Sequence, residues 1–297
     1  NAIFGIFPLS IQEKMRNAKR SLFPSDVEIN LHTLRQGLQQ VEILRKNGCN
    51  PSGKDYCEFG TGWSPIIPLI FALSGCKNLI MIDIQKLMSS HIFSETCRKL
   101  LVHKYEISQK ICAEADYIEQ LLSKFSTMSF NNALNDLNCK YLAPCDILNK
   151  DIPEHSLDII TSRAVLEHIP PEKVKNMFFE FKRILRKGGY MFHVIDNSDH
   201  WEHNDKSISR LNFLQYSQRT FDFISSMNPL DYQNRLRHSQ YKKMIEDAGF
   251  KIVFDESPPD NKSLEDLKSL KIHDSFRKFS MEDLSTLTSY IIAVKEC

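Results

Sequence analysis

"CEFGTGWSP", Cys57 to Pro65, closes a short apolar run with two glycines separated by a single residue. Neither Gly60 nor Gly62 carries a Cβ, so the chain can turn tightly there and its backbone can approach a neighbour closely. A strand that hands over to a helix through such a turn presents backbone N–H groups, here those of Thr61 and Trp63, beside the start of the helix.

Outward from this turn, apolar runs bounded by turn signals alternate with helical patterns, the signature of a parallel sheet covered on both faces. Seven runs read as strands: Asp55 to Phe59, Leu79 to Asp83, Cys139 to Ala143, Leu157 to Ser162, Tyr190 to Ile195, Phe250 to Asp255 and Thr288 to Val294. Between the fourth and fifth, Val174, Met177, Phe178, Phe181, Ile184 and Leu185 follow the helical period over Glu172 to Arg186, and "KGG" ends the run. Two connections exceed what such a sheet needs, and long connections in compact domains tend to serve function. The first, Ile84 to Asn138, predicts helices over about Ser90 to Val102 and Ile107 to Phe125. The second, Asp196 to Gln240, is rich in His, Arg, Asn and Tyr. Residues 1–50 predict a helical cap, with Leu34, Leu38, Val41 and Leu44 at helical spacing. Residues 51–297 then form one domain with insertions at 84–138 and 196–240.

The composition is that of an ordinary globular chain: 297 residues, 42% hydrophobic and 25% charged, give ample material for a core. Thirty-eight basic against thirty-seven acidic residues leave a net charge of +1, so no global field draws the chain to nucleic acid or an anionic membrane. Eight cysteines form no CxxC pair or zinc-type spacing and read as small thiols in a reducing compartment. No run reaches the apolar length of a membrane span, and "NAIFGIFPLSIQEK" lacks a basic region ahead of its apolar residues. The expectation is a cytoplasmic protein; the sequence leaves its oligomeric state open.

The glycine turn has three possible uses: binding a nicotinamide dinucleotide, binding S-adenosylmethionine, or reversing the chain. In an open parallel sheet a ligand sits beyond the carboxyl ends of the strands, where this turn lies. The dinucleotide fingerprint requires a third small residue where Pro65 stands, which counts against NAD. Asp83 ends "LIMIDIQ", where a carboxylate accepts from both hydroxyls of a ribose; both cofactors contain one. Glu58 suits an ammonium group, which S-adenosylmethionine has and NAD lacks.

With these residues in place, the chain resembles the class I S-adenosylmethionine-dependent methyltransferases from about Asp55 to Val294. "EFGTGWS" is similar to the family's ExGxGxG, "MIDI" to its ribose-binding strand end and "APCDILN" to its adenine-flanking acidic loop. "SLDIITSRAVLEHIP" with "FKRILRKGGYMFHV" resembles its fourth strand, helix and fifth strand. The resemblance implies an α/β, Rossmann-like, doubly wound seven-stranded sheet, with the helical cap and both insertions forming a lid. It implies that Glu58, Gly60, Thr61 and Gly62 hold the methionine end of the cofactor, and that Asp83 and Ile84 bind ribose and flank adenine. Asp146 would accept from the adenine amino group beside the backbone of Cys145 and Ile147, while Ser162, Arg163 and Ala164 line the cofactor. Ser64 replaces the third glycine, and Trp63 is bulkier than the pattern.

A hydroxyl acceptor needs a base, and histidine is the usual one near neutral pH. His200 and His203, just past the fifth strand, are the candidates, whereas His193 within the strand reads as a core histidine. No His/Asp cluster stands at metal spacing, so no metal is expected. For the acceptor, His168, Asn197, Trp201, Arg210, Tyr232, Asn234, Arg235, Arg237 and His238 are candidates, since arginine grips phosphate or carboxylate bidentately. The second insertion resembles that of bacterial methyltransferases of surface-polysaccharide biosynthesis, which implies a sugar or phosphorylated glycan precursor methylated on oxygen. A methyltransferase of another small metabolite or of nucleic acid, a cofactor-binding protein without turnover and an NAD-dependent oxidoreductase are the alternatives.

Overall fold

The computed structural model describes residues 30–227 and 232–296. Its strands are β1 (Asp55–Phe59), β2 (Asn78–Ile82), β3 (Cys139–Leu142), β4 (Leu157–Arg163), β5 (Leu185–Asp196), β6 (Phe250–Asp255) and β7 (Thr288–Lys295). They form a seven-stranded sheet in the order β3-β2-β1-β4-β5-β7-β6. β1 runs parallel to both β2 and β4, so that Glu58 stands opposite Met81 on one side and Thr161 on the other. β3 continues the parallel pattern beside β2, with Leu79 opposite Cys139. The sheet as a whole is mixed, with the seven strands and flanking helices that the resemblance implies.

β1 is buried from Tyr56 to Phe59, as a central parallel strand covered on both faces must be. Tyr56 stacks on Phe71 with ring centroids 4.0 Å apart, and its hydroxyl shares a 2.8 Å hydrogen bond with that of Thr161. At the start of β1, Arg186 donates to Asp55 at 2.7 Å and to Asp158 at 2.8 Å, tying three strands together at the end remote from the glycine turn. β5 begins at Leu185 rather than Tyr190. The preceding helix stops at Ile184, and Gly188, at φ +72°, turns within the strand instead of ending the helix.

The chain divides into two compact units. Among described residues, the first comprises 30–162, 180–192 and 294–296. Its helix Leu31–Lys46 is capped by Asn30, whose side-chain oxygen accepts from the Thr33 amide at 3.1 Å. Leu34, Leu38, Val41 and Leu44 are buried, as their spacing predicts. Gly37 allows close approach to helix Ile66–Leu73, since a Cβ there would come within 3.3 Å of Ile67. The part of the 1–50 cap before residue 30 lies outside the described residues.

The first insertion holds the helices Ser90–Leu100, Lys104–Ile111, Ala115–Thr127 and Phe130–Asp136. The helix expected over 107–125 is therefore two. It breaks at Cys112, which adopts a left-handed φ of +51° and is exposed, unlike the buried thiols Cys49, Cys57 and Cys97. The Arg45 guanidinium donates to the Ile111 carbonyl at 2.7 Å and Lys110 pairs with Glu42 at 3.2 Å, which joins the insertion to helix Leu31–Lys46.

The second unit comprises 163–179, 193–227 and 232–293 among described residues. Leu211, Phe213, Leu214 and Phe221 of the second insertion pack with Leu267, Phe276, Leu284 and Leu287 into a core of their own. Half of this core comes from the connection between β6 and β7, with its helices Asn261–Leu267 and Met281–Ser285. Helices this short carry no readable period, so the sequence assigns them no role. Among the described residues, no helix is long and apolar enough to cross a membrane.

Candidate cofactor loop and acceptor-side cluster

At the carboxyl end of β1 the chain turns through Gly60 and Gly62, whose φ angles are +78° and +68°. The amides of Gly60 and Thr61 both donate to the Ile82 carbonyl, at 2.8 and 3.1 Å, which draws the turn over the end of β2. The Gly62 amide donates to Asp83 Oδ2 at 2.8 Å and the Gln85 amide to Oδ1 at 2.9 Å. Asp83 is buried, and that burial pushes its carboxyl up while the two amides work against the shift. A carboxylate oxygen has more than one acceptor position, so both retain capacity for a sugar hydroxyl.

The ground beside this carboxylate suits a bound cofactor. A Cβ on Gly62 would meet nothing within 4 Å, the Thr61 hydroxyl is buried without a hydrogen-bond partner, and the Ile84 side chain is 64% exposed. The Cys145 amide donates to the Asp83 carbonyl at 2.8 Å, tying the loop after β3 to the end of β2. Asp146 caps the short turn Ile147–Asn149, accepting from the Leu148 amide at 3.0 Å.

The second unit carries a separate cluster. Glu167 is 1% exposed; its Oε1 accepts from the Asp196 amide at 3.3 Å, and its Oε2 is buried without a hydrogen-bond partner. Burial pushes this carboxyl up to about 8. His168 bonds the Tyr232 carbonyl through Nδ1 at 2.9 Å. The His200 ring lies 5.0 Å from that of His168 and 4.9 Å from that of His203, stacked on the latter at 19°. His200 Nε2 is 3.6 Å from Asp196 Oδ2. Burial opposes the Asp196 charge, but the neighbouring His200 ring and the hydrogen bonds from Ser198 outweigh it and hold the carboxyl down at about 2. The turn His200–His203 is pinned by two side chains: Asp199 accepts from the Trp201 amide at 2.8 Å and Gln233 from the His200 amide at 3.0 Å. Glu167, His168 and His200 each bring one ligating atom to within 4.8 Å of the others.

Residues 31–254 match the model of a methyltransferase domain family. The chain belongs to that family. S-adenosyl-L-methionine is the cofactor of this methyltransferase. A putative sarcosine dimethylglycine methyltransferase from Galdieria sulphuraria is similar at 16% identity and a TM-score of 0.50, over 91% of this chain and 88% of that one. At that identity the likeness speaks for the fold. A putative S-adenosylmethionine-dependent methyltransferase from Listeria monocytogenes is similar at 15% identity and a TM-score of 0.48, over 89% of this chain and 100% of that one. Magnesium protoporphyrin IX methyltransferase from Synechocystis, with bound S-adenosylhomocysteine, is similar at 12% identity and a TM-score of 0.49, over 90% of this chain and 85% of that one. No curated protein matches the methyltransferase.

The structure sorts the residues expected at the site. Gly60, Thr61, Gly62, Asp83, Ile84 and Cys145 to Ile147 gather at the ends of β1, β2 and β3, and Glu58 is buried near the end of β1. Ser162 and Arg163 end β4, and Ala164 follows at φ +52°. On the acceptor side the expected arginines have other work. Arg237 is buried and donates to the Asn197 carbonyl at 2.8 Å and the Leu236 carbonyl at 3.1 Å. Arg235 donates to the Phe213 and Tyr216 carbonyls at 2.8 and 2.6 Å and lies over the Phe221 and Phe276 rings. Asn234 bonds the Leu166 and Ile169 carbonyls, and His238 spans Ser289 and Asp255. Asn197 donates to Ser289, and Trp201 packs against Tyr216 and Phe221. These hydrogen bonds run to this unit's own backbone and side chains. Of the other residues expected there, His168, His203 and Arg210 are exposed, while His200 and Tyr232 are half-buried.

Glu167, His168 and His200 come together in space although no such cluster stands at metal spacing in the sequence. Glu167 and His168 follow β4 while His200 follows β5, so linear spacing hides their proximity. The one signal in the sequence is an adjacent Glu-His pair after a strand, with a further histidine after the next strand. His193 is the core histidine expected: burial brings its ring down to about 3, and it packs edge-on against Phe178.

Proposed function

We propose that this methyltransferase methylates a hydroxyl oxygen of a small polar acceptor, a sugar or glycan precursor. The observation that carries the proposal is the row of imidazoles His168, His200 and His203, backed by the carboxyls of Glu167 and Asp196. When bound, S-adenosyl-L-methionine supplies a sulfonium methyl already activated for displacement, and it departs as S-adenosylhomocysteine. Glu58, Gly60, Gly62 and Asp83 serve to hold and orient the cofactor. The acceptor hydroxyl loses its proton as the new bond forms, and a neutral imidazole of the His200–His203 stack receives it. Holding the acceptor oxygen in line behind the methyl group is the larger part of the catalysis.

The resemblance read from the sequence of the second insertion is the ground for the sugar class. A phosphorylated acceptor has less support, because Arg235 and Arg237 are committed to carbonyls. The test is transfer of labelled methyl from S-adenosylmethionine into monosaccharides, nucleotide sugars and phosphorylated glycans, with small primary amines as controls. Label in a sugar methyl ether supports the proposal. Label confined to the amines overturns it.

A further inference from the structure

We propose that Glu167, His168 and His200 form a binding site for a first-row divalent metal ion of the zinc or manganese class. The three residues already bring their ligating atoms within 4.8 Å of one another, close to the spacing that shared ligation requires. All belong to the same compact unit, so the site needs no rearrangement between units.

The second observation is the state of the ligand atoms. Glu167 is 1% exposed and its Oε2 is buried without a hydrogen-bond partner, an arrangement that costs free energy and that a bound cation would relieve. His200 Nε2 is likewise buried, with no hydrogen-bond partner and the Asp196 carboxylate 3.6 Å away. His168 offers its Nδ1–H to the Tyr232 carbonyl at 2.9 Å, which places the lone pair on Nε2. Metal-ligating histidines are oriented in this way, by a carbonyl or carboxylate on the nitrogen that does not bind. Glu167 is steadied in turn through Oε1 by the Asp196 amide.

Two imidazoles and one carboxylate suit zinc, manganese, iron or cobalt; magnesium prefers oxygen ligands throughout. Three protein ligands also leave coordination positions open. On the reading that the acceptor is a hydroxyl compound, its oxygen fills one of them. The metal then lowers the pKa of that hydroxyl, and His203, outside the ligand set, receives the proton. This last step rests on the proposed function; the metal site does not.

The experiment is calorimetric titration of the full-length protein, stripped with a chelator and dialysed, with Zn²⁺, Mn²⁺ and Mg²⁺ in separate runs. Visible absorption of the Co²⁺-loaded protein reports the coordination, and binding of S-adenosylhomocysteine reports the fold of each variant. One equivalent of Zn²⁺ or Mn²⁺ should bind at least tenfold more tightly than Mg²⁺. Glu167→Gln and His200→Ala should each weaken that binding tenfold or more and alter the Co²⁺ spectrum while S-adenosylhomocysteine still binds. Absence of Zn²⁺ and Mn²⁺ binding in a protein that binds S-adenosylhomocysteine would overturn the metal site alone. Equal metal affinity in wild type and both variants would overturn it too. Failure of wild type to bind S-adenosylhomocysteine would instead strike the methyltransferase reading, and the metal titration would still decide the site.

Discussion

The amide of Gly62 donates a 2.8 Å hydrogen bond to Oδ2 of Asp83, joining the turn after β1 to the end of β2. This bond fixes the glycine turn relative to the carboxylate expected to receive the ribose. The two parts of the cofactor loop are thus organised together, and substitutions at either should be read mainly in cofactor affinity.

Gly62→Ala tests the turn. Its φ of +68° strains any residue with a Cβ, at a cost of about 1–2 kcal/mol, although the Cβ itself meets nothing within 4 Å. The melting temperature should therefore fall by a few degrees, while affinity for S-adenosylhomocysteine falls tenfold or more because the added methyl occupies the cofactor's side of the loop. Thermal melts and calorimetry on the same preparation separate the two effects.

Arg237 tests the structural role given to the acceptor-side arginines. Arg237→Met keeps an apolar stem near Phe213 but removes the donors to the Leu236 and Asn197 carbonyls. Leaving buried carbonyls unmet should cost about 2–4 kcal/mol, measured by urea denaturation. Arg210→Ala, at an exposed position, should leave the denaturation midpoint unchanged. Loss of acceptor affinity without loss of stability in Arg237→Met would return that arginine to the acceptor site.

His193 sets an expectation for pH. Its ring titrates at about 6.5 in the unfolded chain and at about 3 in the fold, where burial disfavours the charge. Its neutral form therefore contributes stability that is complete above pH 6.5 and is lost as the pH falls through about 3. Over that window the contribution to the slope is about 1.4 kcal/mol per pH unit. His193→Phe, which keeps an aromatic ring beside Phe178, should flatten the acid limb of the stability profile relative to wild type.

The proton-transfer assignment is tested by His203→Ala. His203 is exposed and stacks on His200. Turnover should fall by about 10²–10⁴-fold with affinity for S-adenosylhomocysteine unchanged, the range that general base catalysis supplies. A parallel loss of cofactor affinity would assign the residue a different role.

Much of the fold was legible because parallel strands write themselves plainly. β1 and β6 have the limits their apolar runs imply, and the glycine pair with Asp83 marks the ligand end of the sheet. Three things were hidden, each for a physical reason. The break at Cys112 comes from a left-handed backbone angle that a non-glycine residue rarely signals. The burial of Arg235 and Arg237 depends on carbonyls distant in sequence, and a cluster rich in arginine reads the same whether its guanidinium groups face solvent or backbone. Glu167 and His200 meet only because β4 and β5 end on neighbouring strands, which linear spacing cannot express.

The most direct test is calorimetric titration of wild type and Asp83→Ala with S-adenosylmethionine, S-adenosylhomocysteine and NAD. The account predicts micromolar binding of the first two and none of NAD, with both affinities falling at least tenfold in Asp83→Ala while the variant still melts cooperatively. Binding of NAD alone, or undiminished S-adenosylmethionine binding in Asp83→Ala, would contradict it.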